Sequence, residues 1–114
     1  MRFEERKVEG VFVARIIENR LSADVAERFK EDMIGFVNRG YPVIVLDLSQ
    51  VTFIDSTGLG ALIATRKALR QDGELALCGA NENVATMFRL TRMNKVFRMY
   101  DSPEEAAAAL PLAN

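Results

Sequence analysis

The sequence contains no histidine. That removes the commonest general base, the commonest zinc ligand and any Ser-His-Asp triad, so an enzyme is not expected. The single cysteine, Cys78, excludes an internal disulfide and fits a reducing compartment. No apolar run approaches the roughly 20 residues that a membrane span needs. The opening MRFEERKVEG is charged throughout and has no apolar signal core, so the expected location is cytoplasmic. Net charge is −1, and no global field draws in nucleic acid or an anionic membrane. Nucleotide motifs are missing too. There is no G-x-x-x-x-G-K-[ST] loop, and the G-x-G begun by Gly58 and Gly60 reaches Ile63 where the dinucleotide fingerprint needs glycine. A nucleophile elbow would place glycine two residues before Ser56, where the chain has Ile54. No cofactor and no metal are implied.

What remains is ordinary folded-protein material. The 114 residues suffice for one compact core but not two, and 49% of them are hydrophobic against 27% charged. Arg2 to Val8 and VFVARII, residues 11–17, read as strands flanking a Glu9-Gly10 turn. Val25, Phe29, Met33, Phe36 and Val37 recur at helical spacing, with Ser22 placed as cap, Gly40 as terminator and Pro42 beyond it. VIVLDL, residues 43–48, is apolar at nearly every position, as a strand buried on both faces must be. Leu59, Leu62, Ile63 and Leu69 mark a second helix, and ELALC, residues 74–78, a further strand. A helix over 82–91 and a strand over 96–100 follow. DSPEEAAAAL then supplies Ser102 as cap, Pro103 at the first helical position and Glu105 to complete a capping box. Alternation of this kind predicts an α/β domain with one mixed, mostly parallel sheet and an antiparallel edge strand.

Three features admit more than one reading. Cys78 reads as a small buried strand residue. Arg89, Arg92, Lys95 and Arg98 recur at three-residue steps. They could form a phosphate surface, but in a slightly acidic chain they read as a solvated face, with Met87, Leu90, Met93 and Phe97 on the buried side. The third is FIDSTGLGAL, residues 53–62. Asp, Ser and Thr are what a helix start prefers, because a side-chain oxygen satisfies orphan N–H groups, and glycine allows close backbone approach. The same corner sits where open α/β sheets place their sites, and a hydroxyl at a helix N-terminus lies in a field favouring negative charge. A phosphate on Ser56 would be tolerated there and would set anions beside Asp55.

The stretch from residue 49 to residue 110 resembles the STAS domain of bacterial anti-sigma factor antagonists, and the resemblance spans nearly the whole chain. The likeness is most specific at Asp55-Ser56-Thr57-Gly58-Leu59-Gly60, and LTRMNKVFRMYDSPEEA follows the family pattern into the last helix. The resemblance implies a STAS fold of about five strands and four helices, as a single domain over 1–114. It implies a non-enzymatic regulator of transcription. When unphosphorylated, such a protein binds an anti-sigma factor, itself a serine kinase, and frees a sigma factor. Phosphate on the serine switches it off, and a phosphatase resets it. Carried over, Ser56 is the phosphoacceptor, and Asp55, Thr57, Gly58 and Leu59 lie at the kinase contact. Ser22 takes the place of an acidic residue that the family often has near the partner, and Arg92 replaces a common glycine. A monomer or weak dimer is expected. The alternative is a scaffold subunit of a stressosome-like or lipid-transport assembly, without phosphoryl transfer.

Overall fold

The computed structural model describes residues 1–110. β1 (Phe3–Val8) and β2 (Val11–Ile16) form an antiparallel hairpin. Its turn residues, Glu9 and Gly10, have φ of 53° and 80°, the left-handed pair that matches the twist of a two-residue hairpin. β4 (Val43–Asp47), β6 (Glu74–Cys78) and β7 (Arg98–Tyr100) add in parallel, giving the order β1-β2-β4-β6-β7. The connections are the helices α1 (Ala23–Asn38), α2 (Ser56–Ala68) and α3 (Glu82–Leu90), and α4 (Pro103–Ala109) is the last element among the described residues. The mixed α/β sheet with one antiparallel edge strand is the architecture read from the sequence.

Over the inner strands both sheet faces are covered, so period-two alternation divides those strands between two cores, while the middle of the edge strand β1 is exposed. Phe12, Ala14 and Ile16 of β2 join Phe29, Met33, Leu62 and Phe88 in the larger core, under the first three helices. Val11 and Val13 join Val45, Cys78, Ala106 and Leu110 under α4. Every residue of β4 is buried, as its unbroken apolar run requires. Burial pushes the Cys78 thiol up to about 12, with nearby Asp47 adding to the shift, so this cysteine is a packed, unreactive side chain.

Several local features depart from the sequence reading. Two extra strands, β3 (Arg20–Leu21) and β5 (Phe53–Ile54), pair in parallel as a separate small sheet. α2 stops at Ala68, and Leu69 is already extended. Residues 93–95 form a 3-10 turn, so the last strand begins at Arg98. Leu90, expected on the buried side, is 81% exposed. The helix ends there, and Arg92 at φ 61° swings the chain back so that Phe97 reaches the core against Phe88. Met87 and Met93 pack against that core, as expected.

Candidate functional site

The small sheet determines where the site lies. β3 leads through Ser22 into α1, and β5 leads through Asp55 into α2. Pairing Arg20 with Phe53 and Leu21 with Ile54 therefore brings two helix starts side by side. Gly58, in the first turn of α2, lies against this junction. A Cβ at that position would stand 2.3 Å from the Leu21 carbonyl oxygen, so only glycine lets α2 approach β3.

Asp55 occupies the junction as the N-cap of α2. Its Oδ1 accepts from the N–H groups of Thr57 at 2.9 Å and Gly58 at 3.0 Å, and from Thr57 Oγ1 at 2.5 Å. Its Oδ2 accepts the N–H of Ala23, the first residue of α1, at 3.1 Å. One carboxylate thus caps two helices, and both macrodipoles favour its charge. The Thr57 hydroxyl bond, followed by the Gly58 N–H bond, holds the Asp55 carboxyl below its ordinary value of 3.8.

This arrangement corrects the assignment of Ser22. It is the N-cap residue of α1 by position, but its side chain makes no capping bond. Ser22 Oγ donates instead to Asp24 Oδ1 at 2.7 Å, and the side-chain acceptor at the start of α1 is Asp55, which takes the N–H of Ala23. Ser22 and Asp55 therefore meet at one corner, although no bond between them is recorded.

Ser56 follows Asp55 as the first residue of α2 and is exposed. Among the described residues no hydrogen bond engages its hydroxyl. Thr57 is also exposed, whereas Leu59 points inward and joins the larger core. The residues predicted for the site thus divide by role. Asp55 and Gly58 build the corner, Leu59 anchors it, and Ser56 and Thr57 face outward. Two further residues flank it and escaped the sequence reading. The Arg20 guanidinium lies over the Phe53 ring at 4.4 Å, and Phe53 is 41% exposed. An aromatic one residue before the buried Ile54 was their only sequence signal. A cleft of about 690 Å³ lies elsewhere, between β1 and α1 beside Phe3, Glu5, Phe36 and Arg39. No corner residue lines it.

A half-buried capping carboxylate, a close-packed glycine and an exposed, unengaged serine on the first helical turn meet at this corner. The sequence matches the STAS domain family over residues 2–106. It is 31% identical over 114 residues to BtrV of Bordetella bronchiseptica, named as a candidate anti-sigma factor antagonist, covering 99% of this chain and 97% of that one. A crystal structure of a candidate anti-sigma factor antagonist from Thermotoga maritima superposes with a TM-score of 0.80 at 32% identity, covering 93% of this chain and 92% of that one. SpoIIAA of Bacillus, solved in its phosphorylated form, shares the fold with a TM-score of 0.67 at 19% identity, over 94% of this chain and 96% of that one. The chain belongs to the STAS domain family. Among the described residues no helix is long and apolar enough to cross a membrane.

Proposed function

We propose that this protein is an anti-sigma factor antagonist, a binding module rather than an enzyme, switched by phosphate on Ser56. Unphosphorylated, it binds an anti-sigma factor with serine kinase activity through the corner formed by Asp55, Ser56, Thr57, Gly58 and Leu59, with Ser22 alongside. That binding releases a sigma factor. The kinase then transfers a phosphoryl group to Ser56 Oγ, and a phosphatase removes it.

One observation carries the reading. The capping work at the corner is done by Asp55, while Ser56 is exposed on the first helical turn. Phosphate can therefore be added without removing a group that holds the fold. It would bring about −1.5 to −2 charges next to the Asp55 carboxylate, and an interface seated on the corner would meet clustered anions. The two helix starts favour negative charge, so the fold tolerates what the interface does not. SpoIIAA, which has this fold, exists in a phosphorylated form. The scaffold reading gives no reason for an unengaged serine at this position.

The test is intact-mass spectrometry after incubation with ATP and an anti-sigma factor kinase that binds the protein. One phosphate on the wild type and, over the same incubation, no more than a trace on Ser56→Ala supports the switch. No phosphate, with binding retained, supports the scaffold.

A further inference from the structure

We propose that Asp55 selects which of the two adjacent hydroxyls at the corner accepts phosphate, holding Thr57 back and leaving Ser56 as the acceptor. The proposal rests on the switch reading above and adds a positioning residue to it.

A kinase docking on this corner meets two exposed hydroxyls on consecutive residues. Their surroundings differ. Thr57 is closed onto Asp55 by two bonds to the same oxygen, from its N–H at 2.9 Å and from its Oγ1 at 2.5 Å. Ser56 has no such partner among the described residues. In the transfer, an Oγ–phosphorus bond forms and the bond from the γ-phosphorus to the bridging oxygen of ATP breaks. ADP leaves with that electron pair, and the hydroxyl proton passes to a base on the kinase.

For Thr57 the geometry opposes each part. Its proton points at Asp55, away from any base on the partner. Asp55 cannot take that proton for itself. Its carboxylate also accepts from Ala23 and Gly58, and each bond favours the charged form. An incoming γ-phosphate at Thr57 Oγ1 would meet the carboxylate that holds this oxygen, anion against anion. Ser56 is free to turn its hydroxyl outward. Consecutive helical residues point roughly 100° apart, so a kinase aligned on one does not reach the other unmoved.

The experiment maps phosphosites by peptide fragmentation after incubation with ATP and the anti-sigma kinase. It compares wild type, Ser56→Ala, and Ser56→Ala combined with Asp55→Gly or with Asp55→Asn. Glycine removes the acceptor and asparagine leaves a neutral one, and both are accepted at N-caps, so circular dichroism should find at least one double variant folded. Wild type is expected to carry phosphate on Ser56 alone, and Ser56→Ala to react about a hundredfold more slowly. Asp55→Gly with Ser56→Ala should regain phosphate, now on Thr57, about tenfold faster than Ser56→Ala alone, with the asparagine variant between them. A merely structural role for Asp55 would slow transfer without moving its site. The proposal is overturned if Ser56→Ala is phosphorylated on Thr57 at the wild-type rate with Asp55 in place. It is equally overturned if folded Asp55 variants leave Thr57 untouched. Wild type that takes no phosphate overturns the switch reading itself, a result read before any variant is examined.

Discussion

Asp55 and Ala23 stand 32 positions apart, yet the Asp55 carboxylate accepts the Ala23 N–H at 3.1 Å while capping its own helix. The start of α1 is thereby fixed by a residue of α2. Ser22, with its hydroxyl turned to Asp24, should be nearly dispensable for stability. Ser22→Ala is expected to change unfolding free energy by less than about 0.5 kcal/mol, where a working serine cap would be worth about 0.5–2. Asp55→Asn should lower the urea midpoint clearly, since an amide nitrogen cannot accept from Ala23. Urea titrations of both variants check this.

The same carboxylate makes part of the stability depend on pH. Its folded value lies below the ordinary 3.8, chiefly through the Thr57 hydroxyl. A depressed carboxylate stabilises the fold fully above its unfolded value and loses that contribution as pH falls through the folded one. The gap in urea midpoint between wild type and Asp55→Asn should stay constant near neutrality and shrink below about pH 4. A gap that widened with acid would contradict the assignment.

The two glycines of the corner should respond in opposite senses. Gly58→Ala drives a methyl to 2.3 Å from the Leu21 carbonyl and should destabilise by about 1–3 kcal/mol. At Gly60 nothing lies within 4 Å of an added Cβ, and the position is exposed in mid-helix. Gly60→Ala should stabilise by roughly 0.5–1 kcal/mol. Denaturation midpoints decide both.

Arg92 holds a left-handed conformation just past the end of α3, at φ 61° and ψ 18°. That is where helices favour glycine, and where the resembling family often has one. Arg92→Gly should raise stability by about 0.5–1 kcal/mol, because a non-glycine residue is strained there. Calorimetry reads the shift.

The sequence reveals whatever has local periodicity. The buried run of β4, the hairpin around Glu9-Gly10 and the Ser102 cap, which accepts from Glu105 N–H at 3.1 Å, were all legible in this way. β3 and β5 were not, because two residues carry no period. Leu90 was misplaced because helical spacing assumes that the helix continues, and Arg92 ends it. At the corner, Asp, Ser and Gly announced a helix start. The second helix capped by Asp55 could not be read, because a 32-residue separation leaves no mark in either segment.

The central claim separates two duties at one corner: Asp55 holds the fold, and Ser56 carries the signal. The most direct test measures both on the same sample. Protein phosphorylated on Ser56 should keep its unfolding free energy, from urea titration, within about 0.5 kcal/mol of the unmodified form. It should bind the anti-sigma factor at least about tenfold more weakly, equivalent to roughly 1.4 kcal/mol. Phosphorylated protein that unfolds, or that binds as tightly as before, would contradict the account.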